Sequence, residues 1–137
     1  MTILNFNPRN VMDIINIADT EPFITADGSE IRELLAHRNS GIRNQSLAEA
    51  RLPVGAATTT HFHPLAEEIY YILAGTAEMR IGLEVRAVRP GDAIAIPPKA
   101  AHQIRNTGDV ELRFLCCCAP CYEHEDTVLC QASDGLA

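Results

Sequence analysis

The stretch GAATTTHFHPLAEEIYYILAG, residues 55–75, holds two histidines two positions apart and, beyond a proline, a glutamate pair that opens an apolar run. Side chains two apart on a strand point to the same face, so His61 and His63 share one side of the chain. Pro64 turns the chain back, and Glu68 opens the next strand. Alternation along that strand puts Glu68, Tyr70 and Ile72 on one face, and Glu67, Ile69 and Tyr71 on the other. This spacing predicts His61, His63 and Glu68 around one interior space. Tyr70 follows on the same face, either as a packed core tyrosine or as a hydroxyl that contacts a substrate and exchanges a proton with it.

A second stretch, GDAIAIPPKAAHQIRN at residues 91–106, offers His102 at the start of another strand. Three neutral imidazoles and one carboxylate form a mixed nitrogen and oxygen set. Such a set suits one first-row divalent transition metal, whether Mn, Fe, Zn, Co, Ni or Cu. Four protein ligands on an octahedral ion leave two positions for water, substrate or O₂, and an open site of this kind can polarise a carbonyl. By alternation Ile104 and Asn106 follow His102 inward, which predicts a pocket with apolar walls and few polar groups.

Outward from these stretches the chain reads as many short strands with closely spaced turns. A hairpin over residues 23–35 centres on Asp27-Gly28, and a strand follows over 42–52. Strand-like runs continue at 57–63, 68–73, 77–81, 84–88, 93–96, 102–106 and 112–118, separated by glycines and prolines. This pattern predicts an all-β, antiparallel sandwich or barrel. With no internal repeat or flexible linker, residues 1–137 are expected to form one domain, with an N-terminal arm over 1–20 and a C-terminal extension over 119–137.

Both stretches resemble the two motifs of the cupin superfamily. The first matches G(X)5HXH(X)3–4E(X)6G through Gly55, His61, His63, Glu68 and Gly75; glycine counting selects Glu68 over Glu67. The second resembles G(X)5PXG(X)2H(X)3N through Gly91, Pro97, His102 and Asn106, with Lys99 where the family usually has glycine. The resemblance implies a jelly-roll barrel, a double-stranded β-helix enclosing one metal, with His61, His63, Glu68 and His102 as ligands. In length and first motif the chain is similar to small single-domain cupins grouped with mannose-6-phosphate isomerase-like proteins. That grouping implies a metal-dependent isomerase or lyase that handles a small oxygen-rich metabolite through an enediolate. An Fe(II)-dependent dioxygenase and a non-catalytic barrel that captures a small ligand are the alternatives. Small cupins also pair through their sheets, which implies a homodimer.

Composition narrows the field further. The chain has 137 residues, with 11 Lys+Arg against 18 Asp+Glu and a formal net charge of −7. Phosphate backbones and anionic membranes need clustered cations, so neither nucleic acid nor a membrane surface is an expected partner. A small anion is not excluded by net charge. No apolar run approaches a membrane span and no secretory signal is recognisable, which makes a cytoplasmic protein the expectation. The five cysteines all fall between Cys116 and Cys130, an odd and clustered set that reads as reduced thiols.

Cys116 and Cys118 alternate onto the apolar face of their strand, as packing residues or as thiols near the metal, while Cys118 and Cys121 have redox-pair or zinc-pair spacing. Arg32 and Glu49 either orient a polar substrate at the barrel mouth or charge an exposed edge. The tail with Tyr122, His124 and Asp126 either closes over the mouth as an acid or base, or packs Val128 and Leu129 on the sheet.

Overall fold

A computed structural model describes residues 12–131. The first part of the expected N-terminal arm lies outside them. From Met12 the arm carries one short 3-10 turn, Ile17–Asp19, with the Asn16 side chain accepting from the Ala18 amide at 2.9 Å.

Eleven strands are described: β1 (Phe23–Ile24), β2 (Glu30–Leu35), β3 (Ser46–Leu52), β4 (His61–Phe62), β5 (Glu67–Ala74), β6 (Ala77–Ile81), β7 (Glu84–Val88), β8 (Ala93–Ile96), β9 (His102–Asn106), β10 (Leu112–Ala119) and β11 (Val128–Leu129). They form two antiparallel sheets. One has the order β1-β2-β3-β10-β5-β8 and the other β11-β4-β9-β6-β7. The chain is therefore nearly all β, as its short runs and turns predict.

Two stretches differ from expectation. The strand over 42–52 begins only at Ser46, and the run at 57–63 shrinks to His61–Phe62. Residues 57–60 approach β9 through an isolated Ala57–Arg105 bridge and through Thr58, whose amide donates to the Ile104 carbonyl at 2.9 Å.

The core lies between the sheets and follows the pleat. On β5 Glu68, Tyr70 and Ile72 are buried while Glu67, Ile69, Tyr71 and Leu73 are exposed. On β10 Leu112, Phe114, Cys116 and Cys118 point inward, and the first three pack with Leu52, Ile72, Met79, Ile96 and Ile104. The cluster occupies one end of the interior, and the histidines extend it at the other. Asn106 seals the core end of β9. Its amide donates to the Leu52 and Val110 carbonyls at 3.1 and 2.9 Å, and its oxygen accepts from Gly108 N at 3.0 Å.

Glu49 departs from both expectations for it. It neither lines the mouth nor sits exposed; it is buried on the outer face of β3, across from Arg32 and Leu115. Arg51 donates to one carboxylate oxygen and Arg113 to the other, the latter at 2.7 Å. Arg32, half-buried beside it, pairs with Glu30 at 2.5 Å. Burial works to raise the Glu49 pKa, but the Arg113 and Arg51 guanidiniums reverse it and hold it below the usual value. A lowered folded pKa stabilises the fold above the unfolded carboxylate pKa and loses that stabilisation as pH falls. Glu49→Gln is therefore expected to cost about 2 kcal/mol at pH 7. The gap from wild type should close as the pH drops below about 4.5, read by urea melts across pH.

Candidate metal centre

Four sequence-predicted residues converge at one end of the barrel interior, each delivered by a different local constraint. His61 lies in β4 and pairs directly with His102 at the start of β9. His63 follows one residue after β4, and Glu68 enters from β5 of the facing sheet. All four are buried, at 2%, 4%, 1% and 6% exposure for His61, His63, His102 and Glu68. One nitrogen from each imidazole lies within 4.8 Å of the other two. Glu68 Oε1 stands 3.3 Å from His63 Nε2 and 3.4 Å from His102 Nε2.

The backbone sets the tautomers. His61 Nδ1 faces the Thr59 carbonyl at 2.7 Å, His63 Nδ1 the Asp126 carbonyl at 2.9 Å, and His102 Nδ1 the Ala100 carbonyl at 2.9 Å. A carbonyl only accepts, so each Nδ1 carries a hydrogen and each neutral ring turns its Nε2 lone pair inward. Among the described residues the buried polar side-chain atoms without a hydrogen-bond partner are Glu68 Oε1, His102 Nε2 and Arg113 Nε. Two of these three face the same point. Unpaired buried polar atoms are costly, and a cation accepting their lone pairs removes the cost. The donor set thus fits a divalent metal.

The electrostatics of the four groups differ. Burial, reinforced by the neighbouring His102 imidazole, lowers the His61 pKa to about 4, so this ring is neutral and ready to ligate. For Glu68 burial pushes upward, but the His102 and His63 imidazoles hold its carboxyl well below the usual range. Burial disfavours a charge on His63, and the adjoining Glu68 outweighs it and raises the pKa. The site is built to hold negative charge on Glu68 against a positive partner.

A family model described as a cupin domain matches residues 48–118. The chain belongs to the cupin family. An uncharacterised protein of Methanocaldococcus jannaschii is 54% identical over 109 residues, spanning 78% of this chain and 86% of that one. An oxalate-binding protein of Thermotoga maritima is 30% identical over 86 residues, spanning 63% and 71%. Among solved structures, the polyketide cyclase RemF from Streptomyces resistomycificus superposes with a TM-score of 0.75 at 23% identity, covering 91% of this chain and 89% of that one.

Two motif positions of this cupin have physical explanations. Gly75 has φ +84°, and a Cβ there would stand 3.1 Å from the Glu111 carbonyl oxygen and from Leu112 Cα. Lys99, in the place of the motif glycine, adopts φ +68°. That left-handed backbone costs a non-glycine residue about 1 kcal/mol. The turn is kept nonetheless, and Lys99 N donates to the His63 carbonyl at 2.8 Å.

Tyr70 is fully enclosed, with its ring 5.9 Å from His102 and 4.7 Å from Phe114 between centroids. Burial and the Glu68 charge raise its pKa well above the ordinary phenol value, so the hydroxyl keeps its proton. It lines a cavity of about 40 Å³ that also touches His61, His63 and Glu68. That is room for about three waters. A larger groove of about 460 Å³ lies along β6, β7 and β8, lined by Met79, Ile81, Val88 and Ile94, and holds none of the imidazoles. The chemistry assigns the site to the smaller space.

The tail closes one side of this centre. Its β11 pairs with β4, and the Asp126 carboxylate accepts from the Leu65 and Ala66 amides at 2.9 and 3.0 Å. Asp126 therefore pins the loop between His63 and Glu68. Tyr122 also lines the cavity, its hydroxyl 3.1 Å from His124 Nδ1. Sequence could not place the Asp126 contacts, because they join residues about 60 apart.

Cys116, Cys117, Cys118 and Cys121 are free thiols. Cys118 and Cys121 engage different groups: Cys118 donates to Glu68 Oε2 at 3.1 Å, and Cys121 to Glu123 at 3.4 Å. A second cluster, His37, Cys121 and Glu123, has metal-ligand chemistry. The Arg38 guanidinium lies 3.1 Å from Glu123 and 3.3 Å from His37 Nε2, and its charge opposes a cation there. Burial and Glu68 push the Cys118 thiol pKa up, so it stays a hydrogen-bond donor. It thereby orients Glu68, leaving Oε1 for the centre. Partners of this kind typically change metal affinity 10- to 100-fold. Cys118→Ala is expected to weaken divalent-ion binding about tenfold and Cys118→Ser to restore most of it, measured by competition with a chromophoric chelator.

Proposed function

We propose that this cupin is a metal-dependent enzyme of the isomerase or lyase type, holding one divalent transition metal on His61, His63, His102 and Glu68. Its substrate is a small compound with adjacent oxygen groups that passes through an enediolate-like state. The observation that carries this reading is the convergence of three backbone-locked imidazoles and the unpaired Glu68 oxygen, with His61, His63, Glu68 and Tyr70 lining one small cavity. A bound ion would supply Lewis-acid polarisation of a substrate oxygen.

The chain's own residues do the rest. Phe114, Ile31 and Ala50 wall the cavity with apolar surface, which limits water beside the reacting carbon. The raised pKa of Tyr70 keeps its hydroxyl protonated, which suits it to give a hydrogen bond to a developing oxyanion rather than to act as a phenolate base.

The test is metal analysis of protein purified without chelator, followed by NMR of hydroxy-carbonyl compounds in D₂O. About one ion per chain, lost in His61→Ala, with exchange of the hydrogen next to the carbonyl, is expected. Tyr70→Phe should keep the ion and slow the exchange at least a hundredfold. Oxygen uptake without exchange would replace this reading by the dioxygenase. A barrel that binds compounds without either reaction would be a capture protein.

A homodimer is part of the same proposal. The outer face of the six-stranded sheet exposes Ile69, Tyr71 and Leu73 in a row on β5, with Leu115 and Cys117 half-buried alongside on β10. A contiguous apolar face of this kind marks an interaction surface, and a second copy is the occupant that the jelly-roll architecture favours. Light scattering should give twice the chain mass, and Tyr71→Glu should shift it toward the monomer.

A further inference from the structure

The β1–β2 hairpin brings a second carboxylate to the centre. Asp27, which the sequence marks only as a turn residue, points one oxygen into the cavity 3.5 Å from His61 Nε2. His61 is the imidazole that Glu68 does not approach within ion-pair range. The other Asp27 oxygen accepts from the Thr25 hydroxyl at 2.6 Å, the Ser29 amide at 2.9 Å and the Ser29 hydroxyl at 2.6 Å. Those three bonds fix the carboxylate and leave Oδ2 to the cavity.

The hairpin is anchored as well. Gly28 takes φ +91°, and the Asp27 carbonyl accepts from the Thr59 amide at 2.7 Å, two residues before His61.

The charges around this carboxylate are one-sided. No lysine or arginine lines the cavity among the described residues, and Asp27 has no Lys or Arg ion pair there. Glu33, also at the wall, is paired with Arg38 at 2.5 Å. A divalent ion with Glu68 alone would leave the centre one positive charge, which would attract carboxylate or phosphate substrates. Asp27 cancels it.

We propose that Asp27 is a specificity-determining residue that removes the net positive charge of the metal centre and selects uncharged hydroxy-carbonyl or diketone substrates over carboxylates and phosphates. The inference rests on the metal-centre reading above. It separates this chain from its oxalate-binding relative, named for a dianion.

Asp27→Asn is the direct test, because asparagine keeps the oxygen that accepts the three turn bonds and removes the charge. Metal-loaded wild type and variant would be titrated calorimetrically with acetate, oxalate and neutral imidazole at pH 8. A unit charge about 5 Å from a ligand charge, at an effective dielectric near 20, is worth about a hundredfold before salt screening. The variant should therefore gain at least tenfold in acetate affinity and more in oxalate affinity, with imidazole within about threefold and the gain shrinking as salt rises.

Equal oxalate affinity in both proteins would overturn the proposal. Loss of the ion from Asp27→Asn would also overturn it, since the carboxylate would then be holding metal rather than selecting ligands. If wild type itself binds no ion, the metal reading fails and takes this one with it, and metal analysis tells the two failures apart. Asp27→Ser, with a turn-forming hydroxyl, carries the same expectation should the asparagine variant fold poorly.

Discussion

Three imidazoles share one buried space, and each is locked by its Nδ1 hydrogen to a backbone carbonyl: Thr59, Asp126 and Ala100. The other end of the molecule could be packed with any apolar residues of suitable volume, whereas this end tolerates little else. Nitrogens turned inward with their lone pairs exposed to one another, beside a carboxylate with an unpaired oxygen, leave polar groups that need a cation. The jelly roll supplies what those rings require. One sheet presents His61 beside His102 across a register pair, the other presents Glu68, and the tail supplies the third carbonyl.

Asp27 and Cys118 belong to the same constraint. Each holds or completes a carboxylate at the centre, one through a hairpin turn and the other through a thiol on β10. The cavity thereby combines apolar walls, a tyrosine that keeps its proton and the carboxylates of Asp27, Glu33 and Glu68, with no cationic side chain among its described lining residues. In a barrel whose fold hosts unrelated reactions, such charge and wall chemistry, rather than the metal ligands, is what distinguishes one member from another.

Legibility followed the range of the interactions. The positions of β6, β7, β8 and β9 were readable to the residue, because each is a short run bounded by a glycine or proline turn. Alternation on β5 was readable too, since the pleat has a fixed period of two and burial of Glu68, Tyr70 and Ile72 obeys it. Residues 57–60 were misread as strand because their composition suits one, while their bonding to β9 is confined to an isolated bridge and the Thr58 contacts. Lys99 posed the opposite problem. Its side chain argues against a left-handed turn, yet the backbone takes one and gives its amide to His63.

The sequence by itself determined the all-β class, the histidines and glutamate that meet at the candidate centre and the face on which Glu68 and Tyr70 stand. These depend on spacing within one or two strands, where backbone geometry leaves little choice. Only the tertiary structure decided that Asp27 meets His61 from within its turn, that Asp126 holds both His63 and its loop, and that Glu49 is buried between two arginines on the outer face. Each of these joins segments far apart in the chain, and which side chain meets which is fixed by strand order and sheet packing rather than by any local period.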